Sequence, residues 1–133
     1  MLKLEIVTPE RRVLDAEVDM VAVPTLSGQV GILPGHAPLV SSLKPGVLAY
    51  ARKGVTEKLA VSGGFVEVNN NKVSVLADQA ERADEISLEA AKAEREAAEK
   101  ALAASSNAPV EENAALWEQL YAADARIALA QGK

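Results

Sequence analysis

Few side chains in this sequence are suited to chemistry. His36 is the single histidine and stands in Gly31-Ile32-Leu33-Pro34-Gly35-His36-Ala37-Pro38, with no acid within five residues on either side. An imidazole works as a general base or a ligand only when a nucleophile, a carboxylate or a second ligand can reach it. The surrounding sequence supplies none of these, so the segment reads as a contact loop between strands. Gly28, Gly31 and Gly35 invite comparison with a phosphate-binding loop, but no Lys-Ser/Thr pair follows and no helix begins there, which leaves them as turn residues. Glu94, Glu96 and Glu99 interleave with Lys92, Arg95 and Lys100, and the four-residue step from Glu96 to Lys100 is that of a solvated helix face. The chain has no cysteine, so disulfides, thiol catalysis and thiolate metal sites are excluded and an intracellular address is expected. No catalytic residue and no metal ligand is assigned.

The elements that must carry these residues are set by composition. At 133 residues the chain makes one ordinary domain or two very small ones, and 49% hydrophobic with 25% charged residues is the balance of a globular protein. No apolar run approaches the ~18 residues of a membrane span, and no signal peptide opens the chain. A net charge of −5 weighs against nucleic acid or an anionic membrane as the main partner and favours another protein.

The two halves differ in kind. The first 80 residues hold 30 Val, Ile, Leu, Met, Phe or Tyr residues, five of six prolines and seven of eight glycines, whereas the remainder is rich in alanine and carries all of the net charge. Period-two alternation runs through Leu2, Leu4 and Ile6, then Val18, Met20 and Ala22. Further bursts cover 47–52, 55–61, 65–68 and 73–76, separated by Lys53-Gly54, Ser62-Gly63-Gly64 and Asn69-Asn70-Asn71. That pattern predicts antiparallel strands in a small sandwich or flattened barrel. From Ser87 to Ala104 no Gly, Pro or β-branched residue interrupts a run of strong helix formers. Ser87 is the expected N-cap, and Ile86, Ala90, Ala93, Ala97, Ala101 and Ala104 the expected apolar stripe. After the break at 105–109, Pro109 fits the first turn of a second helix whose stripe is Leu116, Leu120, Ala123, Ile127 and Ala130. The predicted fold is α+β: an antiparallel β-sandwich over residues 1–83, then an antiparallel two-helix hairpin over 84–133. Alanine faces remove little apolar area from water, so the hairpin is expected to be held weakly and able to detach.

Several stretches together carry a family resemblance: Val7-Thr8-Pro9, Ser27 through Leu39, Leu43-Lys44-Pro45-Gly46, Ser62-Gly63-Gly64-Phe65-Val66-Glu67-Val68, Val75-Leu76-Ala77-Asp78 and Ala80-Glu81-Arg82-Ala83. In that order and spacing the chain resembles the epsilon subunit of bacterial and chloroplast F-type ATP synthases. The resemblance implies a non-catalytic rotor subunit whose sandwich docks on the gamma subunit and the c-ring. It further implies a hairpin that can extend along gamma toward the catalytic alpha/beta hexamer and inhibit ATP hydrolysis. The expected address is the cytoplasmic face of the bacterial inner membrane, as a peripheral protein without direct insertion; the alternative is a free-standing ligand-sensing regulatory module. Gln29, Val30, His36, Ala37 and Pro38 are the implied contacts to the ring or gamma, with Gln29 where the family often has an acid. Some bacterial relatives bind ATP through Ile/Leu-Asp-x-x-Arg-Ala. Here the register reads Ile86-Ser87-Leu88-Glu89-Ala90-Ala91, and only a shift by two recovers Leu88-Glu89-Ala90-Ala91-Lys92-Ala93. That leaves Glu89, Lys92 and Arg126 as weak nucleotide contacts, no cofactor expected, and ATP binding disfavoured.

Overall fold

The computed structural model describes residues 1–105 and 113–132. Ten strands form two five-stranded sheets packed face to face. The first sheet contains β1 (Leu2–Val7), β2 (Arg12–Val18), β5 (Leu39–Ser42), β8 (Phe65–Asn69) and β9 (Lys72–Leu76), in the order β2-β1-β9-β8-β5. The second contains β3 (Met20–Thr25), β4 (Gly28–Ile32), β6 (Gly46–Arg52), β7 (Val55–Ser62) and β10 (Gln79–Arg82), in the order β10-β7-β6-β3-β4. Successive strand residues point to opposite faces, so Leu2, Leu4, Ile6, Val66, Val68, Val73 and Val75 meet Val21, Val23, Ile32, Leu48, Leu59 and Val61 between the sheets, all buried. Each such side chain contributes about 1.5–3 kcal/mol relative to an exposed position, which makes this layer the main source of stability.

Two expectations about the strands need correction. The pairing is not all antiparallel: β1 runs parallel to β9, from Lys3 opposite Lys72 to Val7 opposite Leu76. The hairpin partner β2 occupies one edge of β1, and the chain reaches the other only after crossing the second sheet, returning in the same direction. Val18, Met20 and Ala22 do not share one inward face. The chain changes sheets at Asp19, whose backbone N–H donates to Ala51 O (2.8 Å) and whose carboxylate accepts from Lys53 N–H (3.0 Å). Past that corner Val21 and Val23 are buried, and Met20 points outward. The turns are as read: Lys53-Gly54 and Asn70-Asn71 take positive φ at both residues, as tight hairpins demand.

The hairpin consists of α1 (Leu88–Ala104) and α2 (Ala114–Ala130). The Ser87 hydroxyl accepts from Ala90 N–H (3.2 Å) and caps α1 as expected. Most of the predicted stripe is out of phase: Ile86 and Ala101 are half-buried but Ala90, Ala93, Ala97 and Ala104 are exposed, while Ala91 and Ala98 are buried between half-buried Leu88 and Leu102. Alanine on every face blurs a helical phase, and the two leucines fix it. In α2 the predicted stripe is half to fully buried, and a second face of Ala122, Ala125 and Leu129 is covered as well. This helix lies between α1 and the strands β6 and β7. Pro109 lies outside the described residues.

Gly64 makes the tightest demand on backbone. Its φ is +84°, and a Cβ there would run into the Leu76 carbonyl oxygen. Gly54 has a similar φ of +80° but open space around it. Gly64→Ala is therefore expected to cost about 3 kcal/mol or more, against about 1 kcal/mol for Gly54→Ala. Denaturant midpoints of the two variants compare these costs directly, and equal losses would show that the clash is relieved by a shift.

Candidate functional site

Three regions gather the residues singled out by sequence. In the first, Gln29 and Val30 belong to strand β4 rather than to a loop, opposite Pro24 and Val23 of β3. Gln29 is exposed, and Val30 packs its inner side on the core. Gly31 is likewise a strand residue, opposite Ala22. His36, Ala37 and Pro38 lie in the crossing from β4 to β5, where Pro34-Gly35 turns the chain with φ +85° at Gly35 and His36 N–H donates to Leu33 O (3.1 Å). Gly35 N–H also donates to Asn71 Oδ1 (2.7 Å), which ties this crossing to the β8–β9 turn. His36 is half-buried with Nδ1 2.7 Å from Ala37 O, and among the described residues no carboxylate or nucleophile is paired with it.

What this end of the sandwich offers is apolar surface. Leu33 is 59% exposed and Val40 70%, whereas Leu26 (71%) and the outward-facing pair Phe65 and Leu76 across β8 and β9 lie at the opposite end of the strands. Exposed apolar groups of this size suit a protein partner. Sequence reading did not single them out, although large apolar residues at the outward phase of a strand are the signal that would have found them.

The second region joins sandwich to hairpin. Ala83–Glu85 form a single 3-10 turn. Glu85 accepts from Arg82 N–H (2.9 Å) and from the Arg11 guanidinium (2.6 Å), 74 positions away on the β1–β2 connection. The hydrogen bond from the Arg82 backbone, helped by Arg11 and opposed by partial burial, holds the Glu85 carboxyl below the usual glutamate range. Nearby, burial first and then its hydrogen bond to Glu57 (2.6 Å) push the Tyr50 hydroxyl up, with Arg82 opposing.

The third region is the hairpin's inner side. Arg126 on α2 is 15% exposed, and its Nη1 donates to Glu94 of α1 (2.6 Å) while Nε lies 2.9 Å from Glu81 of β10. The second contact is one of charge, because the Nε–H is not aimed along a hydrogen bond. Burial opposes the charge on Arg126, but the two carboxylates outweigh it and raise its pKa. Glu89 and Lys92 stand exposed on α1, and no hydrogen bond or ion pair among the described residues joins either to Arg126. Further along α2, Trp117 and Tyr121 stack at 5.8 Å, and Lys44, between β5 and β6, sits 4.9 Å over the Tyr121 ring. A cleft of about 420 Å³ between hairpin and sandwich is lined by Glu10, Asp78, Glu81 and Glu94 against Arg11 and Arg126. Its acids outnumber its cations. No group of described residues is arranged to hold a metal ion, and no described helix is long and apolar enough to cross a membrane.

Comparison with known proteins agrees with this architecture. A family profile described as ATP synthase, Delta/Epsilon chain, beta-sandwich domain matches residues 1–83. The chain is 54% identical to the ATP synthase epsilon chain of Carboxydothermus hydrogenoformans over 102 residues, 77% of this chain and 76% of that one. Against the ATP synthase epsilon chain of Herpetosiphon aurantiacus it is 54% identical over 101 residues, 76% and 74% of the two chains. Among solved structures it is similar to a chain of the Euglena gracilis mitochondrial ATP synthase, OSCP/F1/c-ring in rotational state 1, with TM-score 0.77 and 26% identity over 96% of this chain and 79% of that one. A chain of the Tetrahymena thermophila mitochondrial ATP synthase central stalk and c-ring shares the fold, with TM-score 0.55 and 19% identity over 63% and 68% of the two chains.

The Glu85 contacts make a pH-dependent contribution. A carboxyl whose folded pKa lies below its unfolded value of 4.5 adds stability above that value and loses it as pH falls through the folded pKa. Glu85→Gln should therefore melt lower than the parent at neutral pH and converge with it in acid. Melting temperatures measured along an acid titration check this, and a constant gap at every pH would place the effect elsewhere.

Proposed function

We infer the function from the premise that this chain belongs to the epsilon-chain family of ATP synthases. It is a non-catalytic subunit of the central stalk, a peripheral part of a membrane-bound complex, and its partners are the gamma subunit, the c-ring and the alpha/beta hexamer. Membership in that family displaces the reading as a free-standing ligand-sensing module. The sandwich is the docking unit. Its Gln29–Pro38 end, with exposed Leu33 and Val40, serves the ring and gamma, and the cytoplasmic face of the inner membrane is its place. Gln29 brings no charge to that contact, so shape and apolar area must carry it.

The hairpin acts as a movable brake on ATP hydrolysis. The observation that carries this reading is the size of its attachment: Ala60, Ala125 and Leu129, with Val47 and Ile86 at the margin, form a cluster separate from the sandwich core. One leucine and a few alanines hold α2 by only a few kcal/mol, roughly, at about 25 cal/mol per Å². Such a helix can leave without opening the sandwich. The folded hairpin has little affinity for nucleotide, since Arg126 is already engaged by two carboxylates and the adjoining cleft repels a polyphosphate.

Residues 1–83 alone are expected to fold and to bind gamma and the ring, while an ATP synthase carrying that truncation hydrolyses ATP faster than one carrying the full chain. Circular dichroism, co-purification and hydrolysis rates check the three parts, and unchanged hydrolysis would sink the brake. Millimolar ATP should leave the melting temperature of the isolated chain nearly unmoved. A ligand at about 100 times its Kd would add roughly 2.7 kcal/mol, so saturable binding would be plain in calorimetry.

A further inference from the structure

We propose that Arg126 is a two-partner clamp that makes lifting of the hairpin off the sandwich and separation of its two helices one cooperative event. The inference rests on the reading of the hairpin as a movable element. The guanidinium sits where three elements meet: it is carried by α2 and contacts Glu81 of β10 and Glu94 of α1, so one partner belongs to the sandwich and the other to the opposite helix. Two other contacts at this junction, among the described residues, each span only two of the elements. Arg95 and Asp124 (2.8 Å) join only the helices, and Lys44 over Tyr121 joins only α2 to the sandwich.

Burial is what couples the two steps. With 15% of its side chain exposed and 27% of that of Glu81, Arg126 interacts with Glu81 through a medium less polarisable than water, while Glu94, 57% exposed, meets the guanidinium from the solvent side. Lifting α2 removes Glu81 and admits solvent, and the surviving pair with Glu94 becomes an ordinary surface pair, screened by salt and weak. Separating the helices first removes Glu94 and its 2.6 Å hydrogen bond, which leaves the cation facing Glu81 alone through an unaligned Nε–H. Either step weakens the contact that resists the other. Without the arginine, the carboxylates of Glu81 and Glu94 would be left facing each other with no charge between them.

The chain has no cysteine, so introduced thiols report each step separately. Ala60→Cys, on β7 under α2, is labelled when the hairpin lifts, and Ala98→Cys, in the seam of α1, when the helices part. In the isolated full chain the two thiols should label at equal rates after correction for intrinsic reactivity. Adding Arg126→Gln should accelerate both by about tenfold or more, the scale of a lost charge-assisted hydrogen bond, and split the rates, with Ala60→Cys the faster. Glu81→Gln or Glu94→Gln should accelerate both thiols while Arg126 is present and neither when it is Gln. Salt should accelerate the parent but not Arg126→Gln, and Arg126→Lys, which keeps the charge without the fork, should fall between them. Unchanged labelling in Arg126→Gln, or rates that rise but stay equal, would overturn the clamp. The brake itself is judged by hydrolysis in the assembled enzyme, so either idea can fail alone.

Discussion

The layer of Val, Leu and Ile between the two sheets is closed by the strands and their connections, since every residue of that core precedes position 81 and no described helical residue enters it. That independence is the constraint from which the rest of the molecule follows. A sandwich that completes its own core can carry an element on its outer face without depending on it, and that element can be weakly held. The outer face of β6 and β7 presents Val47 and Ala60 to α2, residues short enough to let a helix approach and too small to grip it.

Electrostatics supplies what apolar area does not. The 3-10 turn is fastened to the β1–β2 connection through Glu85 and Arg11, and Arg126 reaches both the sandwich and α1. The extended backbone at Ile86 and Ser87 lies between the fastened turn and the capped start of α1. Ile86 packs beside Ala60 and Leu129 and Ser87 caps α1, so this two-residue joint is itself held as long as the hairpin is down.

Much of this was legible in the sequence because it depends on neighbours along the chain. Positive φ at Lys53-Gly54 and Asn70-Asn71, the Ser87 cap and the uninterrupted helix former run are local chemistry. The family was legible from the run around Gly35-His36. What escaped depends on distant parts of the chain or on phase. The parallel pairing of β1 with β9 is set by the path through the other sheet, and the face of α1 by two leucines among many alanines. The corner at Asp19 hid in an unbroken apolar alternation. Arg126 carried a signal as a lone cation on α2, but its partners lie 45 and 32 positions away, where no spacing rule reaches.

The 3-10 turn's tie to Arg11 also decides how the subunit bears a pull. A tug on the linker alone would reach β10, an edge strand four residues long, and would peel its rungs from β7 one after another. Arg11 offers a parallel path, because it diverts tension from Glu85 into the connection between β1 and β2. Tension delivered there divides between β2, which Arg11 directly precedes, and β1, whose bonds to β2 on one side and β9 on the other share it together. The short strand β10 is thus relieved, and a subunit that turns with a shaft is anchored through both of its sheets and not through one rim.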